Sequence, residues 1–194
     1  ISISLFKRKR DKGIAPGKGI SVLICTHNGK KNLLETLRHL ALQKNTSHID
    51  WEIIVVDNAS TDNSGEEASR IWHALNCRDI PMTVVYETQP GKDRAMDLGM
   101  AIARYNYVTV CDDDNWLHEN YLENAYNIME RNPDIGMLGG KGIPVFEHQP
   151  PSWFPAFECY YAVGPQHHEQ GEVKQHLAHM HFIWGAGAVI NRKA

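Results

Sequence analysis

No uncharged apolar run in this chain approaches the roughly 18 residues that a membrane-spanning helix needs, so no transmembrane segment is read from it. A secretory leader pattern is missing too, because the basic cluster Lys7 to Lys12 follows the short apolar opening instead of preceding it. Cysteine is scarce. Cys25, Cys77, Cys111 and Cys159 show no C-x-x-C spacing, and Cys25 and Cys111 sit inside apolar runs as small hydrophobes do. This excludes a disulfide scaffold and fits a reducing compartment. No G-x-G-x-x-G follows the first apolar run, which argues against a dinucleotide-dependent oxidoreductase. A basic body is also absent. Net charge is −3, and residues 1–12 alone hold five Lys/Arg and one Asp; the remainder carries fifteen basic against twenty-two acidic residues, a balance of −7. That opposes nucleic-acid binding. The arm at 1–19 reads as a solvated terminus able to touch anionic lipid, so the expected location is cytoplasmic, peripheral to the inner face of a membrane.

What is present is globular. Hydrophobic residues at 42% and charged residues at 22% leave room for a buried core and none for a disordered reading. The chain starts at Ile1 without Met and stops at Ala194 just after a predicted strand, so it is expected to be a piece of a longer protein, with 20–194 forming one C-terminally incomplete domain.

Strand and helix patterns alternate. Ile20 to Thr26 is a short apolar run ending in polar residues, a buried strand followed by a turn. Leu33, Leu34, Leu37, Leu40 and Ala41 then recur at helical spacing over 30–43. The pattern repeats in Glu52 to Val56 and a helix over 63–76 with Ala68, Ile71, Trp72 and Leu75 inward. It repeats again in Met82 to Glu87 and a helix over 92–104 presenting Ala95, Leu98 and Ile102. A fourth strand, Tyr107 to Cys111, leads into a helix over 118–131 with Tyr121, Leu122, Ala125, Ile128 and Met129 inward. Strands this apolar must be covered on both faces, so the fold class is α/β, with a largely parallel central sheet flanked by helices. Ligands of such sheets lie beyond the carboxyl ends of the strands.

Four polar clusters fall at those ends: Thr26-His27-Asn28-Gly29, Asp57-Asn58-Ala59-Ser60-Thr61-Asp62, Gln89 to Arg94, and Asp112-Asp113-Asp114. Three adjacent carboxylates repel one another, and a hard divalent cation, Mn²⁺ or Mg²⁺, relieves that repulsion. The plainer account is an acidic helix start capped by Asp114 or Asn115. The second cluster likewise serves either Asx turns and a cap at Asp62 or Ser60, or the edge of a nucleobase. Lys92 and Arg94 suit a diphosphate or a base, or are solvated helix charges. A phosphoacceptor receiver domain would need carboxylates after the first strand, where Thr26, His27 and Asn28 stand.

Taken together with Trp184-Gly185-Ala186-Gly187, these clusters resemble the nucleotide-sugar-dependent glycosyltransferases of family 2, over about residues 20–192. The resemblance implies the GT-A fold and an inverting transfer of a sugar from a nucleotide-diphosphate donor, UDP-linked first of all, to a hydroxyl of a glycan or lipid-linked acceptor. It implies Thr26, Asn28, Asp57, Asn58, Lys92, Arg94, Asp112 and Asp113 at the donor, Asp112 and Asp114 at the metal as a D-x-D element, and Trp184, Gly185, Ala186 and Gly187 around the transferred sugar and the acceptor. Asn58 stands where many relatives have a second Asp, and Met96-Asp97 where they have Arg-Asn. The catalytic base of the family lies in an acidic pair beyond the tryptophan-glycine segment and is expected beyond Ala194. A noncatalytic nucleotide-sugar or carbohydrate-binding module on the same fold is the alternative. Six of the eleven histidines fall between His148 and His181. His176, His179 and His181 lack the Cys or acidic partner that would complete a zinc spacing, so the segment reads as an acceptor-side loop. Gln149 to Pro155 reads as an irregular connection whose aromatics pack on the core or line a glycan groove.

Overall fold

The computed structural model describes residues 16–77, 79–164 and 183–193. The basic cluster from Lys7 to Lys12 lies outside the described residues, as do His176, His179 and His181, so the lipid-contact and zinc readings do too.

Six strands form one sheet in the order β3-β2-β1-β4-β6-β5. β1 (Gly17–Thr26) pairs in parallel with β2 (Trp51–Asn58) and β4 (Tyr105–Asp112), and β2 pairs in parallel with β3 (Met82–Glu87). The crossovers are α1 (Leu33–Ala41), α2 (Ser64–Ala74) and α3 (Lys92–Ile102), and α4 (Tyr121–Arg131) follows β4. On one face of the sheet Ile20, Val22, Ile24, Ile53, Val55, Tyr107 and Cys111 pack with the buried sides of α1, α2 and α4. On the other, Leu23, Ile54, Val56 and Val108 pack with Ala95 and Ala103 of the α3 segment. Burial on both faces is why β2 has no exposed residue along its length.

The helix positions follow from their apolar arcs. In α1, Leu33, Leu37 and Leu40 are buried at helical spacing, each contributing about 1.5–3 kcal/mol by leaving water. Leu34 was expected inward but is 46% exposed, one residue step (about 100°) off that arc. Ile128 in α4, one step before buried Met129, is exposed for the same reason; Ile102, also expected inward, lies on the arc of Ala95 and Gly99 but is the last residue of α3 and is 37% exposed. Gly99 lets α3 lie close to the sheet: a Cβ there would fall 2.2 Å from a methyl of buried Leu23.

The sheet departs from parallel at its far edge. β6 (Val189–Asn191) runs antiparallel to β4, and the two-residue β5 (Met137–Leu138) runs antiparallel to β6. Between β5 and β6 the described residues make two short 3₁₀ turns, Phe154–Ala156 and Glu158–Tyr161. The aromatics here pack mainly on one another. Phe154 meets Phe146 and Tyr161 at ring-centroid distances of 5.1 and 5.5 Å, and Trp153, half exposed, leans on Phe154, Phe157 and Tyr161.

Candidate functional site

Because β1, β2 and β4 are parallel and in register, Thr26 lies opposite Asp57 and Cys25 opposite Asp112. The polar clusters that end these strands therefore arrive at one sheet edge. There they enclose a cleft of about 350 Å³ lined by Cys25, Thr26, His27, Asn58, Lys92, Ala95, Asp112, Asp113 and Asp114. Of the residues expected at a donor or metal, Thr26, Asn58, Lys92 and the three aspartates are brought together; Asn28, Asp57 and Arg94 stand outside this wall.

The acidic turn is not a helix cap. β4 ends at Asp112, Asp113 and Asp114 form a turn, and no helix begins until Tyr121. The three carboxylates have separate surroundings. Asp113 turns inward, its Oδ2 accepting a 2.5 Å hydrogen bond from the Thr26 hydroxyl, while its backbone oxygen accepts from Thr36 of α1 at 2.6 Å. Burial pushes the Asp113 carboxyl above its ordinary range, with the charges of Asp114 and Asp112 adding to the rise and hydrogen bonds from Thr26 and Asn32 opposing it. Asp112 faces the cleft, where Lys92 Nζ donates to its Oδ1 at 2.6 Å. Burial pulls the Lys92 ammonium down, but this bond and the charges of Asp112, Cys25 and Asp114 outweigh it, and the net direction is upward. Asp114 is exposed. Gly29 makes room for the inward arrangement, since a Cβ there would fall 1.8 Å from Asp113 Oδ2 and 2.3 Å from Thr26 Oγ1.

The β2–α2 loop is organised by its own acids. Asp57 is buried, and its two oxygens accept from the backbone N–H groups of Ser60 at 3.0 Å and Gly65 at 2.8 Å, an Asx turn joined to a helix start. Asp62 adds a bond from Ser64 N–H at 3.0 Å. The turn-and-cap account thus describes the hydrogen bonding of Asp57 in the protein alone. Asn58 braces the next loop, with Nδ2 donating to Gln89 O and Oδ1 accepting from Gly91 N–H, both at 2.8 Å. That bracing fixes the loop from which Lys92 opens α3.

His27, part of the first polar cluster but given no role from sequence, lines the cleft. Its Nδ1 lies 2.7 Å from the Asn58 carbonyl, which only accepts, so Nδ1 carries the proton. Nε2 then accepts from Asn28 Nδ2 at 3.2 Å, consistent with Asn28 Oδ1 accepting from Thr61 N–H at 2.8 Å. Adjacency to Thr26 at a strand end was the available signal. Cys25 and Ala95 form the apolar floor, and burial first, with Asp112 adding against Lys92, pushes the Cys25 thiol up to about 11.

Trp184 to Gly187 is delivered by the antiparallel edge. Gly187 N–H bonds Val110 O, and Val110 N–H bonds Ala188 O, both at 2.8 Å, two residues before Asp112. The Tyr121 hydroxyl donates to Gly187 O. Trp184 is half-buried, while Gly185 is exposed with open space where a side chain would be.

Among the described residues no set of three or more His, Cys, Asp or Glu is arranged to hold a metal ion by itself. Asp112 and Asp114 fit a different arrangement, in which one or two carboxylates share a hard cation with the phosphate oxygens of a ligand.

The profile of glycosyl transferase family 2 matches residues 21–194. Glycosyltransferase GlyG of Streptococcus pneumoniae is 34% identical over 118 residues, covering 60% of this chain and 37% of GlyG. The poly(ribitol-phosphate) beta-N-acetylglucosaminyltransferase TarS of Staphylococcus aureus is 27% identical over 124 residues, 63% of this chain and 21% of TarS. Among solved structures, the mannosyltransferase PcManGT from Pyrobaculum calidifontis in complex with GDP-Man and Mn²⁺ superposes with a TM-score of 0.57 at 28% identity, covering 66% of this chain and 38% of that one. TarS 1–349 in complex with UDP-GlcNAc gives a TM-score of 0.55 at 24% identity, with 69% and 37% covered, a likeness of fold. The chain thus spans less than two fifths of each of these proteins. From the profile match and the strand-end architecture together, the chain belongs to glycosyltransferase family 2, and its sheet is that of the GT-A fold.

Proposed function

We propose that this chain forms the donor-binding part of a metal-dependent glycosyltransferase that moves a sugar from a nucleoside diphosphate to a hydroxyl of a glycan or lipid-linked acceptor with inversion. The observation that carries this reading is the convergence of Thr26, Asn58, Lys92 and Asp112 to Asp114 on one cleft at the carboxyl edge of the sheet. The relatives named for glycosyl transfer, and the neighbour that holds GDP-Man and Mn²⁺, support it.

In this reading Asp112 and Asp114 would hold Mn²⁺ or Mg²⁺, whose charge would stabilise a leaving diphosphate. Lys92 adds a second positive charge at the same phosphates, with Arg94 at the outer rim. Thr26 and Asp113 fix the end of β1 against the acidic turn. Asn58 and Asn28 hold the loops that receive the nucleoside, and Asp57 sets the start of α2 beside them. Trp184 to Gly187 borders the sugar and acceptor, where the indole offers a face to a pyranose ring. With the cleft's three carboxylates assigned to the cation or to Thr26 in this reading, the base that deprotonates the acceptor hydroxyl comes from a carboxylate outside this set.

A thermal-shift titration tests the reading. UDP with Mn²⁺ is expected to raise the melting temperature together, neither alone matching the pair, with Asp114→Ala abolishing the rise. Equal curves for Asp114→Ala and parent, with no metal-dependent rise in either, sink it. GDP and dTDP in the same format rank the bases.

A further inference from the structure

The contact between Lys92 and Asp112 joins two partners of unequal freedom. Asp112 is the last residue of β4, with a side chain only 28% exposed, whereas the Lys92 side chain is 60% exposed on the first turn of α3. The loop before Lys92 is pinned to β2 through Asn58, so the backbone from which the Lys92 side chain extends is fixed. Its 2.6 Å contact is with Asp112 Oδ1, on the aspartate that the preceding reading gives to the cation. An ammonium and a divalent cation repel when both lie against one carboxylate, because like charges at contact separations repel appreciably even in high dielectric.

We propose that Lys92 is a tethered counter-ion that occupies Asp112 until a diphosphate draws it away, so that nucleotide and divalent cation enter the cleft cooperatively. This rests on the assignment of Asp112 and Asp114 to the cation. Two opposite consequences follow from removing the ammonium. Metal alone gains an uncontested Asp112 and binds more tightly. Metal in the presence of nucleotide loses the residue whose release links the two ligands, so the mutual enhancement shrinks, and by reciprocity it shrinks equally when read from the nucleotide side. A lysine that only stabilised the fold would not raise the affinity for metal alone while lowering its enhancement by nucleotide.

The test measures Mn²⁺ affinity by calorimetry and by the paramagnetic resonance of free Mn²⁺, with and without saturating UDP, for the parent, Lys92→Met, Lys92→Arg and Asp114→Ala. In Lys92→Met, Mn²⁺ alone is expected to bind about threefold to tenfold more tightly, the scale of a partly exposed ion pair plus the relieved repulsion. The enhancement of Mn²⁺ binding by UDP is expected to fall about tenfold, within the ordinary range of coupling between sites. Lys92→Arg should restore parent behaviour in both. If Lys92→Met leaves Mn²⁺ affinity without UDP unchanged or weaker, while Asp114→Ala still abolishes UDP-dependent Mn²⁺ binding, the counter-ion proposal is overturned and the donor reading stands. If the parent binds no Mn²⁺ even with UDP, both fall together.

Discussion

At the scale of single residues, the cleft is shaped by hydrogen bonds that the protein makes within itself. Asp57 binds two backbone N–H groups with its two oxygens, so Asp57→Ala strands that of Ser60 in the turn and that of Gly65 at the start of α2. A loss of about 1.5–3 kcal/mol is expected, as for hydrogen bonds to a charged group, read as a lowered urea midpoint at unchanged slope. A midpoint within error of the parent would show that the loop holds without it. Gly29→Ala is expected to act differently. Its Cβ overlaps Asp113 Oδ2 and Thr26 Oγ1, so the Thr26–Asp113 bond breaks. The free protein should lose about 1 kcal/mol, while the rise in melting temperature with UDP and Mn²⁺ largely disappears. Retention of the full ligand-dependent rise would refute the linkage of that bond to the cleft. The carboxylates themselves were legible as candidates from their place after strands. What spacing left open was their division of labour: Asp57 in an Asx turn and Asp57 at a base use the same sequence, and only the bonds to Ser60 and Gly65 distinguish them in the protein alone. His27 went unchosen because its tautomer and its reach to Asn58 depend on a loop geometry that no periodicity encodes.

At the scale of elements, the strand–helix alternation was readable because each helix carries a separate apolar arc and each central strand is short, apolar and bounded by turn residues. β3 falls at Met82–Glu87, as the pattern predicts. Errors fall at the borders of the arcs and at helix ends: Leu34 and Ile128 are hydrophobic where the helix already turns toward solvent, and Ile102 is the last residue of α3. β5, with two residues, has no pattern to read. α3 offers a sharp test of packing against propensity. Gly99→Ala gains about 1 kcal/mol of intrinsic helix preference, but its Cβ would meet the fully buried Leu23 side chain 2.2 Å away, and overpacking costs about 1–3 kcal/mol. Packing should win, and denaturant unfolding is expected to show a less stable variant; a gain in stability would mean that α3 can shift outward freely.

At the scale of the whole molecule, the hydrophobic surface is unevenly distributed. No helix among the described residues is long and apolar enough to cross a membrane, yet Ile143, Val145, Trp153, Phe157, Tyr160 and Tyr161 are all exposed within one stretch of chain. Such a set is expected to bind apolar dyes. The double variant Ile143→Lys with Val145→Lys is expected to lower anilinonaphthalene sulfonate fluorescence, with the melting temperature within about 2 °C of the parent because both side chains are surface-exposed. Unchanged fluorescence would place the dye elsewhere. The sheet order carries a consequence for biosynthesis. β6 lies between β4 and β5, so β4 keeps a bare border, and Gly187 stays away from Val110, until the last tenth of this sequence has left the ribosome. The 50 residues separating Leu138 from Val189 take about 3–10 s to translate, and throughout that interval a nascent chain already able to build β1, β2 and β3 still awaits its closing strand.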